Sequence, residues 1–396
     1  MTKETKNKQI EELMERLESV YPSKEILKET LLSEKKITIY NGIDPTAPFL
    51  HLGHSVNLFT LKRFQELGHK VIILIGDFTA QIGDPTGKNK KRKALTKKEV
   101  LENCRAYKEQ AAKIINFKGK NPAIMRYNSE WWEKINSREF LKIMSSFTVQ
   151  RMLERDMFEK RQKEKLPIWM NEFLYPVLQG YDSVALGVDA EAGGSDQIFN
   201  MLVGREMMKI HKNKEKIVLA WPLISSGKDG KKMSKSEGEV IALNDSPREM
   251  YGKTMALPDE VIFSIFKLCT FLSDEEIEGI KKDSFRDQKA KLAKEIVKIY
   301  HGEKEAQKAE DEFNRVFKEK KEPLDIPLFS ISEKEIEILD LLKKVNIVSS
   351  KSEAKRLILQ KAIKINNEVQ EDWQKKIKIK KGDIIRAGKR KFVKIK

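Results

Sequence analysis

The sequence predicts an α/β fold. A parallel sheet carries a helical insertion, an all-helical domain follows, and a small α+β module ends the chain. Three observations carry this. The unbroken apolar run Val71-Ile72-Ile73-Leu74-Ile75 follows an amphipathic helical stretch, as in a strand covered on both faces of a parallel sheet. Residues 247–321 repeat apolar positions at helical spacing. The final sixth, 331–396, holds 19 Lys+Arg against 9 Asp+Glu and passes from helical to alternating patterning.

Taken in order, the first thirty-odd residues read as a helix, with Leu13, Leu17 and Val20 recurring between charges. Lys36-Ile37-Thr38-Ile39-Tyr40 alternates like a strand, and a breaker cluster from Gly42 to Pro48 ends it. From His54 the pattern is helical. Leu58, Leu61, Phe64 and Leu67 form one stripe, and Gly68 is placed just beyond the helix end. Val71–Ile75 completes a strand–helix–strand unit. A basic loop follows, with Lys88, Lys90, Lys91, Arg92, Lys93, Lys97 and Lys98 beyond Gly87. Thr96 and Glu99 have the form of a capping box. Much of 96–182 reads as helical, which suggests a helical insertion between the halves of the sheet. Lys216–Ala220 is a further strand, and 226–238 is a loop rich in Gly, Ser and Lys. Pro323 and Pro327 flank a short linker. Beyond Ser332 come two helical stretches, the second opened by Ser350 and Glu353. The alternating runs Ile363-Lys364-Ile365 and Ile377-Lys378-Ile379 follow, with Asn366-Asn367 as a turn signal. This reads as a helix–helix–hairpin module with one basic face.

At 396 residues and 40% hydrophobic content the chain is long enough for several domains with real cores. It has 77 Lys+Arg against 60 Asp+Glu, a net charge of +17, and more than half of that excess lies in 331–396. Such a balance favours a polyanionic partner. Two cysteines, Cys104 and Cys269, make neither a disulfide framework nor a Cys-rich zinc site. A reducing, cytoplasmic compartment is therefore expected. The opening residues MTKETKNKQI lack the apolar core of a signal peptide, and Val71–Ile75 is far short of a membrane span. Secreted, collagen-like and integral membrane classes are excluded, and no membrane partner is expected.

The most informative stretch runs from Tyr40 to His54: a strand end, a loop, and His51-Leu52-Gly53-His54 opening a helix. A helix N-terminus presents N–H groups and partial positive charge, and so attracts phosphate. Two histidines there can hydrogen-bond phosphate oxygens, and Gly53 lets a flat ring approach the backbone. An ordinary turn with two surface histidines has the same pattern. A zinc site is a poorer fit, because no Glu base follows the first His and no third ligand is evident nearby. The second signal is Lys232-Met233-Ser234-Lys235-Ser236 in a Gly-flanked loop. Two lysines three apart can fold over a triphosphate as point charges; a solvated Lys-rich loop reads alike. Gly83 to Lys88 is not a Walker-type phosphate loop, having three residues between its glycines and Asn89 where a hydroxyl belongs. Gly76 to Gly83 lacks the glycine spacing of a dinucleotide site.

Together and in this order, the two motifs are the double signature of class I aminoacyl-tRNA synthetases. The surrounding residues resemble the tyrosyl-tRNA synthetases, in the bacterial branch whose lysine loop reads Lys-Met-Ser-Lys-Ser. The supporting stretches are Ile82-Gly83-Asp84-Pro85-Thr86-Gly87-Lys88, Glu172-Phe173-Leu174-Tyr175-Pro176-Val177-Leu178-Gln179-Gly180-Tyr181-Asp182, and Gly193-Gly194-Ser195-Asp196-Gln197. The basic tail resembles the S4 RNA-binding module. The resemblance implies a Rossmann-like sheet with its insertion in a catalytic domain over 1–226. A lysine loop and helical tRNA-binding domain over 227–328 and an S4-like domain over 332–396 complete it. It implies activation of L-tyrosine with ATP to tyrosyl-adenylate and pyrophosphate, then transfer to the 3′-terminal adenosine of tRNA(Tyr). Mg²⁺ would accompany ATP with no metal held by the protein, and the working form would be a homodimer.

The same resemblance assigns roles. Tyr40 and Asp182 would take the substrate phenol, and Asp84, Tyr175 and Gln179 its ammonium. Gln197 would shape the amino-acid side. On a helix Tyr175 and Gln179 share a face, being four apart. ATP would lie across Asp44, Thr46, His51, Gly53, His54, Gly194 and Asp196. Thr46 would reach the γ-phosphate, and Asp196 the ribose hydroxyls, with Gly194 permitting close approach. His51, His54, Lys88, Arg92, Lys232 and Lys235 form the catalytic set, the last four clamping the phosphates from two loops. Lys90, Lys91 and Lys93 match nothing and read as solvated charge or tRNA contacts. Asn41 stands where many relatives have a small apolar or sulfur residue, and Asn171 where close relatives often show His. The nearest rival is a tryptophanyl-tRNA synthetase, but an indole needs no partner for a phenolic OH. An RNA-binding or splicing protein on a retired synthetase scaffold and a generic adenylyltransferase are further alternatives. The intact histidine and lysine motifs weigh against the first of these, and the basic tail against the second.

Overall fold

The computed structural model describes residues 2–84, 95–224, 240–317, 326–333, 335–388 and 391–396. The chain divides into two compact units, Met1–Glu303 and Lys304–Lys396.

Among the described residues of the first unit, six strands form one sheet. They are β1 (Ser19–Tyr21), β2 (Thr38–Ile43), β3 (Lys70–Ile75), β4 (Ile124–Tyr127), β5 (Ala190–Gly194) and β6 (Ile217–Trp221). Their order is β1-β6-β5-β2-β3-β4. β2 to β6 are parallel, and β1 lies antiparallel on the edge of β6. Val71–Ile75 are all buried, as an all-apolar strand under two helical layers requires. The strand expected at 36–40 runs instead from Thr38 to Ile43. Every residue there has a parallel partner from Lys70 to Ile75, and that pairing overrides the weak strand preference of Gly42.

The helix expected over the first thirty-odd residues is two helices, Lys3–Arg16 and Lys24–Leu32. Val20, read as part of a helical stripe, sits in β1 opposite Leu219. Ser23 caps the second helix by accepting from the Ile26 N–H. The next helix, α1 (Leu52–Glu66), carries the expected stripe of Leu58, Leu61 and Phe64 in the core, and Gly68 follows it at φ +84°.

Within 96–182 the Thr96–Glu99 capping box forms with both its bonds and opens the helix Lys97–Cys104. β4 breaks the expected helical run, because pairing with β3 at Ile72–Ile75 extends the sheet. Four short helices then run from Ser129 to Lys163. The buried Arg161–Glu172 ion pair, at 2.7 Å, ties the last of them to α2 (Met170–Leu186). α2 packs on α3 (Ile198–Lys212) where both helices carry a glycine. A Cβ on Gly180 would lie 3.1 Å from the Gly204 nitrogen, so the close approach depends on its absence. The expected helical region follows as Pro247–Met255, Ile262–Cys269, Asp274–Ile280 and Phe285–His301. Ser246, Ser273 and Ser284 are N-caps there, each accepting an N–H three residues on.

The helix Glu303–Phe317 begins at the last residue of the first unit, and the rest of it belongs to the second. Helices Ile338–Lys344 and Lys351–Leu359 pack their buried Ile338, Leu341, Leu342, Ala354 and Ile358 on a five-stranded sheet. Asn366 and Asn367 both adopt positive φ, 48° and 68°, as a two-residue hairpin turn demands. That turn joins Ile363–Ile365 to Glu368–Val369. The expected partner, the run at 377–379, lies elsewhere: Lys376–Lys378 pairs with Glu335–Glu337. Among the described residues no helix is long and apolar enough to cross a membrane.

Candidate active site

β2 and β5 are neighbours, and the sheet grows outward from them in both directions. In open α/β sheets ligands bind beyond the carboxyl ends of strands at such a reversal. Two segments leave those ends: Asp44–His54 after β2, and Ser195–Gln197, a turn of 3₁₀ helix, after β5.

The first segment delivers the histidines. His51 is the N-cap of α1, and its Nδ1 accepts from the Gly53 N–H at 3.1 Å. His54 Nδ1 accepts from the His51 N–H at 3.1 Å. A neutral imidazole that accepts at Nδ1 carries its proton on Nε2. Both rings are thus set as Nε2 donors at a helix N-terminus, 3.9 Å apart. Thr46 is exposed on the same loop. The chain following the lysine loop is pinned here. The Leu52 N–H donates to the Ile241 carbonyl (2.9 Å) and the Leu243 N–H to the Leu50 carbonyl (2.8 Å). Lys232 and Lys235 themselves, and Lys88 and Arg92, lie outside the described residues.

Asp44, assigned above to ATP, has its carboxylate on two hydroxyls. It accepts from Tyr175 Oη at 2.9 Å and from Thr79 Oγ1 at 2.8 Å. A Cβ on Gly76 would meet both Asp44 and Thr79, so the glycine makes room for this contact. Because the Tyr175 proton goes to Asp44, the lone pairs of the phenol oxygen are left to accept. Burial and the nearby Asp44 and Asp84 charges hold the Tyr175 pKa well above its ordinary value. Gln179, one turn on in α2, donates from Nε2 to Glu191 (3.2 Å) and accepts at Oε1 from Asn200 (3.0 Å). Asn200 Nδ2 also reaches Gln197 Oε1 at 2.9 Å, and Gln197 Nε2 donates to Asp84 at 2.9 Å. Asp84 faces Arg155 at 3.4 Å on its other oxygen. Asp84, Gln179 and Gln197 are thus joined in one hydrogen-bonded row.

Tyr40 and Asp182 lie deeper. Tyr40, on β2, is fully buried with its hydroxyl 2.9 Å from Ser183 Oγ. Asp182, on α2, is 3% exposed and accepts three N–H bonds, from Asn128 (3.3 Å), Trp131 (3.0 Å) and Trp132 (3.1 Å). Burial pushes its carboxyl well above the usual range, against the pull of those donors. Tyr40 is pushed up by burial, then by the Glu191 and Asp182 charges. Gly194 stands where a Cβ would be 2.6 Å from Asp196 Oδ1 and 2.8 Å from Leu223. Asn41 ties β2 to β5 through its bond to the Ala192 carbonyl at 2.7 Å, and Asn171 reaches the Ile82 carbonyl at 3.5 Å.

Sequence reasoning passes over Asn128, Trp131 and Trp132, the donors on Asp182, and over Ser183, Glu191, Asn200, Lys216 and Arg155. Each acts through a partner many residues away. The one local signal is Lys216, a charge at the head of the all-apolar strand Ile217–Trp221.

The family model for class I tRNA synthetases (W and Y) matches residues 32–318, and that for the SYY-like C-terminal domain of tyrosine–tRNA ligase matches 318–395. The tyrosine–tRNA ligase of Thermotoga maritima is 46% identical over 380 residues, covering 94% of each chain. Tyrosine–tRNA ligase 2 of Clostridium acetobutylicum is 42% identical over 98% of each. Among solved structures, a C-terminally truncated mitochondrial tyrosyl-tRNA synthetase of Aspergillus nidulans superposes with a TM-score of 0.66 at 26% identity. That alignment covers 78% of this chain and 94% of that one. With near full-length relatives of one name and both family models in register along it, the chain belongs to the class I aminoacyl-tRNA synthetases, in the tyrosine–tRNA ligase family.

Proposed function

We propose that the chain activates L-tyrosine with ATP and transfers the tyrosyl group to the 3′-terminal adenosine of tRNA(Tyr). The observation that carries this is Asp182: a buried carboxylate on three N–H donors, close enough to Tyr40 for its charge to act there. Three bonds leave one acceptor direction of about four, and a phenolic O–H supplies the missing donor. Tyrosyl-tRNA synthesis in two steps follows. The tyrosine carboxylate attacks the α-phosphorus of ATP, and pyrophosphate leaves. The terminal 2′-hydroxyl of tRNA then attacks the adenylate carbonyl, and AMP leaves.

The residues divide the work. Asp84, Tyr175 and Gln179 accept from the α-ammonium, and Gln197 holds Asp84 in place. His51 and His54 offer Nε2 donors at the phosphates, with Gly53 beside the ring of the nucleotide. Thr46 takes the γ-phosphate, and Asp196 with Gly194 the ribose. Lys232, Lys235, Lys88 and Arg92 follow the charge that develops on the leaving phosphates. The substrate carboxylate is already a nucleophile, so positioning and charge stabilisation carry the step without a general base. Mg²⁺ enters with ATP on its β- and γ-phosphates. The tail, within the match to the SYY-like C-terminal domain, holds tRNA by its basic face. The working form is a homodimer, for which the exposed Leu141, Val149 and Met170 of the insertion and the adjoining α2 are candidate contacts.

The test is amino-acid-dependent ATP–pyrophosphate exchange. Tyrosine should support it, and tryptophan and phenylalanine should not. Exchange with tryptophan would overturn the Tyr40–Asp182 assignment. No exchange with any of the three, in folded protein, would favour the RNA-binding scaffold.

A further inference from the structure

Behind Tyr40 lies an ion pair that the reading above leaves unused. Lys216 heads β6 with 0% exposure and pairs with Glu191 of β5, which is 2% exposed. An ammonium withdrawn from water is costly unless acceptors surround it. Lys216 Nζ donates to Glu191 Oε2 and, at 2.8 Å, to Ser183 Oγ. A Cβ on Gly204 would stand 2.5 Å from Nζ, so α3 leaves a side chain out where the ammonium passes. Ser183 Oγ lies 2.9 Å from the Tyr40 hydroxyl.

A lysine ammonium only donates, an ionised carboxylate only accepts, and each hydroxyl has one proton to give. With Lys216 donating into Ser183, the serine proton has two acceptors in reach: Tyr40 Oη at 2.9 Å and Glu191 Oε2 at 3.3 Å. Glu191 Oε2 has a second lone pair beside the one that takes the lysine, so it too can accept this proton. Whichever acceptor takes it, Lys216 and Glu191 fix Ser183, and Ser183 holds the Tyr40 hydroxyl at 2.9 Å. We propose that Lys216 is a specificity-determining positioning residue. With Glu191 it fixes Ser183, and through Ser183 the Tyr40 hydroxyl against the substrate phenol, a contact that only a para-hydroxyl makes. The proposal rests on the reading of Tyr40 and Asp182 as the phenol partners. Glu191 holds the lysine at this end, and through its Oε1 it also orients Gln179 at the ammonium end. Burial draws the Lys216 pKa down, and Glu191 opposes that shift by charge and hydrogen bond.

The test compares kcat/KM for tyrosine and phenylalanine by ATP–pyrophosphate exchange in the full chain. Three variants are needed: Ser183→Ala, the double variant Lys216→Met with Glu191→Gln, and Tyr40→Phe. Removing both charges together avoids stranding one in the core. In Ser183→Ala and in the double variant the tyrosine-to-phenylalanine ratio should fall by roughly 10- to 100-fold, through the tyrosine value alone. An unchanged ratio, or an equal loss for both amino acids, would overturn the proposal, since a merely structural role lowers both. If the double variant does not fold, Ser183→Ala decides, because it keeps the ion pair. Tyr40→Phe separates the two readings. A ratio lowered there but unchanged in the other variants refutes the lysine's role alone. A ratio unchanged in Tyr40→Phe refutes the phenol assignment and the proposal with it.

Discussion

Asp182→Asn exchanges one oxygen for an NH₂ group and alters the acceptor count of the pocket. The two indoles converge on Oδ1, at 3.0 and 3.1 Å, and Asn128 donates to Oδ2 at 3.3 Å. An asparagine keeping its oxygen at the indoles fills both lone pairs there and presents N–H groups to Asn128 and to the substrate phenol. The phenol proton then has no acceptor on this side. A hydrogen bond to a charged group contributes about 1.5–3 kcal/mol, or roughly 10- to 150-fold in kcat/KM. Tyrosine-dependent exchange should fall by that factor, and exchange with phenylalanine, which never makes the bond, should hold. The pH profile offers a second reading. Burial raises the Asp182 carboxyl above its ordinary value of 3.8. As pH falls through the raised value, a proton occupies the acceptor that the phenol needs. Wild-type kcat/KM for tyrosine should therefore show an acid limb above the usual carboxylate range, absent in Asp182→Asn. Equal losses for both amino acids, or an acid limb that persists in the variant, would refute the reasoning.

The other predictions concern the frame, the lysine loop and the tail. Glu172→Gln leaves Arg161 charged and buried, and should cost about 3–5 kcal/mol in urea unfolding; a loss under about 1 kcal/mol would show the pair to be dispensable. Lys235→Ala should slow single-turnover adenylate formation far more than it weakens equilibrium tyrosine binding, and equal losses would deny it a transition-state role. Deleting 331–396 should leave pyrophosphate exchange nearly intact, impair tRNA charging, and flatten the salt dependence of the charging that remains. Unchanged charging by the truncated chain would place tRNA binding elsewhere.

Legibility in the sequence followed the range of the interactions. α1 and β3 were readable because their patterns are local: a stripe closed by Gly68, and an unbroken apolar run. The capping box at Thr96 is local too, and it formed as written. The two-stranded pairing of Lys376–Lys378 with Glu335–Glu337 was not readable, because alternation declares a strand and not its partner. The second face of the site failed for the same reason. Tyr40 and Ser183 are 143 positions apart, and Lys216 and Glu191 are 25 apart. No spacing rule joins them. The contacts of Asp44 with Tyr175 and Thr79, for which Gly76 leaves room, also join distant positions that the motif around Asp44 does not display.

Net charge also says less about the pocket than about the partner. The chain is +17, yet Asp44, Asp84, Asp182 and Glu191 all bear on the proposed amino-acid side. A free amino acid arrives as a zwitterion, so the local sign sets its direction. In the proposed pose, Asp84 attracts the ammonium, and Tyr175 accepts from it because Asp44 has taken the Tyr175 proton. In that pose the substrate carboxylate is repelled by the same groups. It turns toward the N-terminus of α1, where His51 and His54 are set as Nε2 donors and partial positive charge gathers phosphate. On the proposed binding mode, an acidic interior beside a basic rim therefore does more than bind two substrates of different charge. It points the anionic end of one at the phosphorus of the other, which is the geometry that an uncatalysed encounter seldom finds.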